Sequence, residues 1–244
     1  MKIPTIGLFL MALASCVTGT DEKYGNAVNQ QKPLVETVLT EDEQKRLTPD
    51  VIIESLKAGN KRFVNGSLTL RDHSAQVRHA VLGQYPKAVV LACIDSRVTV
   101  EDIFDKGIGD LFIAKVAGNV VNEDILGSME YACKVAGAKV VIVLGHEYCG
   151  AVKSAIDEVK IGNITNLLAR MKPAIDSVSP DSKNRTSKNK EFVHSVCLEN
   201  VHLAIVTIRE KSLLLNEMEL AGQIKIVGAD YDMETGIVTF LEQH

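Results

Sequence analysis

The sequence predicts an α/β fold, in which helices flank a mostly parallel β-sheet, and three observations lead to this prediction. First, residues 88–92, 111–116 and 139–144 form short apolar runs, which are typical of parallel strands buried on both faces. Second, helical segments separate these runs, as they do in βαβ units with right-handed crossovers. Third, chemically reactive side chains follow two of the runs, at the strand ends where open α/β sheets place their sites.

Length and composition are those of a globular domain with a sizeable core. The chain has 244 residues, of which 46% are hydrophobic and 24% are charged, and no mid-chain linker argues for a second domain. The formal net charge is −4, and no basic stripe is present. We therefore expect no nucleic-acid partner.

The N-terminus has the pattern of an export signal. Lys2 precedes an apolar run over residues 3–14, which is too short to span a bilayer. The sequence Leu13-Ala14-Ser15-Cys16 resembles the bacterial lipoprotein signal, in which the cysteine becomes the lipidated first residue. An ordinary cleaved signal with an incidental cysteine is the alternative. We predict a signal peptide over residues 1–15, a flexible tether over 16–46, and an exported, periplasmic protein anchored to a membrane through Cys16.

The folded domain is predicted over residues 47–244 and opens with a helical arm. Thr48 caps the first helix, Pro49 occupies its first position, and Asn65-Gly66 ends it. The remaining predicted helices span residues 74–82, 100–104, 124–136, 151–159, 163–175 and 190–215. A polar surface loop covers residues 177–189, and strands over 224–229 and 237–241 form a hairpin at the sheet edge.

Three possible metal ligands follow two of the predicted strands. Cys93 stands in Cys93-Ile94-Asp95-Ser96-Arg97, and the other two in His146-Glu147-Tyr148-Cys149-Gly150. Two thiolates and one imidazole suit Zn²⁺ and leave its fourth position free for water. Such a metal lowers the pKa of the bound water to about 7, and Asp95 and Arg97 are placed to orient that water.

Other cysteines and histidines leave an alternative open. Cys133 or Cys197 could complete a four-ligand structural zinc site, although both stand among apolar neighbours, as inert buried thiols do. His194 and His202 lie in the long predicted helix, and we interpret them as packing or surface residues. Because bound zinc protects its thiolates, we expect no disulfide.

These motifs resemble those of the β-class carbonic anhydrases. The similarity covers residues 47–241, and it rests on Cys-x-Asp-x-Arg, His-x-x-Cys, Gly118-Asn119, Gly127-Ser128-x-Glu130-Tyr131-Ala132, and Gly228-Ala229-x-Tyr231-Asp232-x-x-Thr235-Gly236. The resemblance implies the β-carbonic anhydrase fold, one zinc ion per subunit on Cys93, His146 and Cys149, and a catalytic dyad of Asp95 and Arg97. It also implies a homodimer or a higher even oligomer.

The resemblance further implies reversible hydration of carbon dioxide to bicarbonate by zinc-bound hydroxide. The substrate-binding residues would be Gln84, Gly150, Phe112, Tyr131, Val90 and Ala117, with the glutamine and the Gly150 N–H on bicarbonate and the others around carbon dioxide. A hydrolase of COS or CS₂ with the same metal site is one alternative. A non-catalytic zinc-binding lipoprotein is the other.

One branch of this family has a tryptophan and an arginine where this chain has Val90 and Lys115. That branch holds bicarbonate in a non-catalytic pocket. We therefore expect the branch in which the site is always open, with Asp95 paired to Arg97 and off the metal. A closed form, with Asp95 as a fourth ligand at low pH, is the alternative.

Overall fold

A five-stranded sheet forms the centre of the computed structural model, which describes residues 35–178 and 184–242. The strands are β1 (Ala88–Ala92), β2 (Leu111–Lys115), β3 (Val140–His146), β4 (Lys225–Tyr231) and β5 (Val238–Phe240). Their spatial order is β2-β1-β3-β4-β5. All neighbouring pairs are parallel except β4 and β5. The predicted fold class and the C-terminal hairpin are both confirmed.

Helices surround this sheet. They are α1 (Glu41–Arg46), α2 (Pro49–Val64), α3 (His73–His79), α4 (Val100–Ile103), α5 (Glu123–Glu130), α6 (Gly150–Ile156), α7 (Gly162–Ala169), α8 (Lys172–Ser177), α9 (Lys190–Lys211) and α10 (Leu213–Leu220). A 3₁₀ turn (Ala117–Asn119) follows β2, and a π-helical turn (Tyr131–Val135) continues α5.

Apolar side chains of successive strand residues enter different cores. Ala88, Val90 and Ala92 pack with α2 and α4 on one face of the sheet. Val89 and Leu91 pack on the other face, with α5, α9 and α10. A third core, built from α6, α7, α8 and the start of α9, contains three buried cysteines. Burial on both faces explains why the strand sequences are continuously apolar.

The register of the parallel strands brings the two reactive motifs to one edge. Ala92 pairs with Leu144, so Cys93 lies just beyond β1 while β3 continues for two more residues. The predicted end of this strand at residue 144 is therefore wrong, because β4 keeps pairing with β3 as far as His146 and Tyr231.

The predicted tether is wrong over its last twelve residues, because residues 35–46 are part of the fold. Val35 pairs with Arg71, and a capping box at Thr40 starts α1. Gln44 is buried, and its amide donates to the Pro86 and Ala136 carbonyls at 2.7 and 2.8 Å. The signal peptide, Cys16 and the start of the tether lie outside the described residues.

Two predicted helices are each divided into two. The predicted helix over 163–175 breaks after Ala169, and α8 begins with Pro173 in its first turn. The helix predicted over 190–215 stops at Lys211, because Ser212 leaves the helical conformation and its hydroxyl accepts from Leu215 N to cap α10. The capping side chain decides this boundary, which hydrophobic periodicity does not reveal.

By length and composition α9 could cross a membrane, but its setting is that of a core helix. Val196 and Val201 on this helix are fully buried against the sheet and the neighbouring helices. The same composition therefore has an ordinary explanation in a globular fold.

Candidate metal centre

Three buried side chains meet at the carboxyl edge of β1 and β3. The ligand atoms of Cys93, His146 and Cys149 all lie within 4.8 Å of one another. The two sulfurs are 4.0 Å apart. These three residues, called the triad below, are the set that the sequence predicts. The described chain adds no fourth histidine, cysteine or carboxylate to the group.

The 3₁₀ turn after β2 positions the Cys93 sulfur. Gly118 N donates to Cys93 Sγ at 3.3 Å, and its carbonyl accepts from Asn200. Gly118 has a φ of +70°, and a Cβ at this position would lie 2.5 Å from Met171 Sδ. Only glycine combines this conformation with the space available. The sequence showed Gly118 only as part of a family motif, and its bond to the sulfur depends on the tertiary structure.

His146 is held with one ring nitrogen free to bind a metal. Its Nδ1 lies 2.7 Å from the Glu147 carbonyl, which fixes it as the donor nitrogen. Nε2 then carries a lone pair, and this buried atom has no hydrogen-bond partner. A buried polar atom without a partner is costly, and a cation between this nitrogen and the two sulfurs would satisfy it.

The two thiols behave as a coupled pair. A hydrogen bond from Cys149 lowers the pKa of Cys93 to about 4, and the bond from Gly118 N acts in the same direction. Sharing of that proton with Cys93, together with burial, raises the pKa of Cys149. A divalent cation would displace the remaining proton, since thiolate is the form that binds metal.

Asp95 and Arg97 form a bidentate pair beside the triad. Arg97 Nε donates to Asp95 Oδ1 at 2.9 Å, and Nη2 donates to Oδ2 at 2.7 Å. The backbone N–H of Arg97 also donates to Oδ1, at 3.0 Å. These bonds hold the pKa of Asp95 at about 2 against the opposing effect of burial. Asp95 is therefore an ionised acceptor at neutral pH.

The remaining cysteines and the histidines of α9 do not join the triad. Burial raises the pKa of both Cys133 and Cys197 to about 12, so both are inert thiols. His194 Nε2 lies 2.7 Å from Asp230 on β4. His202 lines a separate surface groove over α9 and β4.

Phe112 and Tyr131 lie together on one face of the sheet. Their ring centroids are 6.4 Å apart, and both line a cavity of about 610 Å³ between β2 and α5. Val90 does not lie with them, because its side chain is fully buried on the opposite face. The prediction that Val90 lines the same pocket as these aromatics is therefore wrong, because successive residues of a strand face opposite sides of the sheet.

The other substrate-binding candidates lie at opposite ends of the sheet. Ala117 begins the turn that bonds Cys93, and Gly150 is the exposed first residue of α6, directly after Cys149. Gln84 precedes β1 and lines a cavity with Gln44 and Lys139. One subunit thus separates Gln84 from the triad by the length of β1.

Comparison with known proteins identifies the class to which this fold and site belong. The family model described as carbonic anhydrase matches residues 88–238, which is more than half of the chain. Carbonic anhydrase 2 of Mycobacterium tuberculosis is 34% identical over 188 residues, covering 75% of this chain and 88% of the relative. Carbonic anhydrase of Mycolicibacterium smegmatis is 36% identical over 192 residues, covering 76% and 89%.

Solved structures agree with this fold. The β-carbonic anhydrase CcaA matches with a TM-score of 0.62 at 22% identity, covering 79% of this chain and 94% of the other. The Coccomyxa β-carbonic anhydrase, in complex with acetazolamide, matches with a TM-score of 0.60 at 20% identity, covering 79% and 82%. Two tetrameric β-carbonic anhydrases from Sordaria macrospora match with a TM-score of 0.59 at 20% identity, covering 80% and 95%.

The fold is thus that of the solved β-carbonic anhydrases, and three possible metal ligands of this chain lie close together at its strand ends. This chain belongs to the carbonic anhydrase family, and it is an enzyme of that family.

Proposed function

We propose that the protein catalyses the reversible hydration of carbon dioxide to bicarbonate and a proton. One zinc ion per subunit would be held by Cys93, His146 and Cys149. The observation that supports this proposal best is the buried, unpartnered Nε2 of His146, on a residue whose ligand atom lies within 4.8 Å of both sulfurs. Two soft sulfurs with one imidazole are a donor set that suits zinc.

Bound zinc would act as a Lewis acid that lowers the pKa of a coordinated water. Three protein ligands leave room for that water, as catalytic zinc sites do.

The chain's own contribution centres on Asp95. Its ionised carboxylate accepts a hydrogen bond from the attacking water and so orients the oxygen lone pair towards carbon dioxide. Arg97 keeps the carboxylate ionised, because an adjacent cation depresses a carboxyl pKa. A structural metal site has no use for such a pair, and the dyad therefore favours an enzyme over a zinc-binding lipoprotein without catalysis.

We propose that a second copy of the chain completes the pocket, as a homodimer or a higher even oligomer. Apolar side chains are exposed near Gln84, with Leu82 fully exposed and Val135 69% exposed. Exposed apolar surface of this kind favours association. A partner subunit could bring its Gln84, and the cavity of Phe112 and Tyr131, to the triad of the first.

Export and anchoring through a lipid on Cys16 also belong to this proposal. Its support is the lipoprotein-like sequence of residues 13–16. Labelling cells with a fatty acid, in parallel with the variant Cys16→Ser, tests it. The wild-type protein should carry the label in the membrane fraction. The Cys16→Ser variant should lose the label and leave that fraction.

The decisive experiment combines stopped-flow carbon dioxide hydration with a zinc count on the purified mature protein. One zinc per subunit with rapid, zinc-dependent hydration is the expected result. Rates measured with COS and CS₂ on the same sample would show whether either is the better substrate. A metal-replete protein that does not hydrate carbon dioxide would overturn the proposal.

A further inference from the structure

Asp95 and Arg97 lie on a loop, outside any helix or strand. The loop runs from the end of β1 at Ala92 to the start of α4 at Val100. Its one internal backbone bond runs from Val98 N to the Asp95 carbonyl, at 3.1 Å. The Arg97 side chain is 58% exposed. Precise placement of the carboxylate therefore needs a contact from outside the loop.

Lys115 provides such a contact. It is the last residue of β2 and pairs with Ala92, the residue just before Cys93. Its Nζ donates to the Val98 carbonyl at 2.8 Å and to the Asp95 carbonyl at 3.4 Å. The ammonium thus joins both ends of the Asp95–Val98 turn to the neighbouring strand.

In the described part of the chain, no carboxylate competes for the Lys115 ammonium. Among the described residues Lys115 makes no salt bridge with a carboxylate. Its hydrogen bonds go to the carbonyls of this one turn, and a bond from a charged donor is stronger than one from a neutral donor. A surface lysine without a role would leave its ammonium in water.

The side chain of Val98 also anchors this turn. Val98 is buried in the core between β1 and α4. Its carbonyl accepts the shorter of the two Lys115 bonds, so the turn is fixed by an apolar contact and by a charged donor. The Asp95 backbone is held in turn through its carbonyl, which accepts from Val98 N and from Lys115 Nζ.

We infer that Lys115 is a positioning residue, which fixes the Asp95–Val98 turn and thereby the orientation of the Asp95–Arg97 pair. This inference rests on the proposed function for its effect on rate, but the contact itself does not depend on that function. A displacement of about 1 Å at a catalytic group can lower a rate a hundredfold. Loss of two carbonyl contacts on an exposed loop is expected to lower it by about tenfold.

The test compares Lys115→Met and Lys115→Arg in the zinc-loaded full chain, with Lys57→Met as the matched control. Lys57 is also an exposed lysine, and its ion pair with Glu54 lies on α2, away from the loop. Two readouts are needed. The first is kcat and KM for carbon dioxide hydration, and the second is solvent exchange of the Arg97 Nε–H by NMR, because this proton bonds Asp95.

Lys115→Met is expected to lower kcat about tenfold, with KM within about twofold of wild type, and to speed exchange of the Arg97 Nε–H. Lys115→Arg should restore both, and Lys57→Met should change neither. Zinc content and the urea midpoint show whether each variant is folded, and Lys115→Gln replaces Lys115→Met if the latter is not.

Wild-type kcat and exchange in a folded Lys115→Met protein would overturn the inference, and so would a lower kcat with unchanged exchange. If the wild-type protein itself does not hydrate carbon dioxide, the proposed function fails. Faster exchange in Lys115→Met would still support the role of Lys115 in that case.

Discussion

Tyr148 adopts a conformation that is rare for a residue with a side chain. Its φ is +54°, in the left-handed region that costs a non-glycine residue about 1–2 kcal/mol. This residue lies between His146 and Cys149, so the tight turn brings a strand residue and a helix N-cap to one point. Strain in the backbone at this site accompanies the arrangement of the ligands.

Replacement of one sulfur tests the metal centre directly. We expect Cys149→Ser to lose zinc and activity, because a serine oxygen is a much poorer ligand for this site than a thiolate. Cys133→Ser is the control, since Cys133 is equally buried but lies outside the triad. Bound zinc is measured by elemental analysis. Full zinc occupancy in Cys149→Ser would contradict the ligand assignment.

Replacement of the dyad carboxylate separates catalysis from metal binding. Asp95→Asn removes the charged acceptor of the hydrogen bond that orients the water, and kcat should fall by about a hundredfold or more while zinc stays bound. Asp102→Asn, an exposed carboxylate on α4, should keep its rate. Stopped-flow rates and zinc content are measured on the same samples. A rate near wild type in Asp95→Asn would remove the dyad from the mechanism.

At the scale of elements, α2 packs closely against the end of α4. Gly59 has no side chain, and a Cβ at its position would meet the Phe104 carbonyl oxygen. Asn60, the next residue, donates to the Ile103 carbonyl at 3.2 Å and accepts from Val238 N at 2.9 Å. The helical arm is therefore bonded both to α4 and to the C-terminal hairpin.

Gly59→Ala should lower the free energy of unfolding by about 3 kcal/mol. The new methyl group would clash with the backbone carbonyl of Phe104, which cannot move aside as a flexible side chain could. Gly127→Ala is the control, because its Cβ would meet nothing within 4 Å. In a helix this second change should be stabilising by up to about 1 kcal/mol. Urea unfolding measures both. Equal stability of the two variants would show that α2 can move away from α4.

Capping side chains determine where several helices end, and the periodicity of apolar residues does not reveal them. The cap at Thr48 was correctly predicted, and the Thr48 hydroxyl accepts from Val51 N. The break at Ser212 was missed, because apolar residues continue on both sides of it. The helix α1 was missed as well, because its sequence is polar and its stability comes from contacts made by Gln44.

At the scale of the whole molecule, a buried carboxylate joins several segments. Asp105 is fully buried and accepts hydrogen bonds from Arg62 on α2 and from Arg71 and Thr69 on the following loop. Burial raises its pKa, but these bonds together outweigh burial and lower it to about 2. The carboxyl must be ionised for the arrangement to persist.

Acid should therefore weaken the fold in a definite range. The folded pKa is about 2 and the unfolded value is about 3.9. The stabilisation is present above about pH 4 and is lost as the pH falls towards 2. Asp105→Asn should lower the free energy of unfolding by about 3 kcal/mol at pH 7. The difference in stability between this variant and the wild type should shrink as the pH falls from about 4 towards 2. Urea midpoints against pH test this, with the exposed Asp176→Asn as control. A constant difference from wild type would exclude Asp105 as the source.

Association of subunits can be tested on the exposed apolar surface near Gln84. Val135→Glu should halve the mass measured by light scattering and reduce activity, because it places a charge in the proposed interface. Leu213→Glu, an equally exposed position on α10, should retain the wild-type mass. An unchanged mass in Val135→Glu would place the interface elsewhere.

Much of the site could be predicted from the sequence, because its residues follow strands in two short motifs. Cys93, His146 and Cys149 needed only the rule that parallel strands end at one edge. Val90 was grouped with Phe112 incorrectly, because neither a motif nor apolar character tells which face of the sheet a residue occupies. Gln84 lies at the far end of β1, and the sequence does not show how far apart two parts of one subunit are.

The chain by itself determined the fold class, the three candidate ligands and the neighbouring acid–base pair, because each depends on residues close together along the chain. Only the tertiary structure decided the free Nε2 of His146, the Gly118 bond to sulfur and the support that Lys115 gives to the Asp95 turn. Those contacts join elements far apart in sequence, and the register of the parallel strands sets their distances.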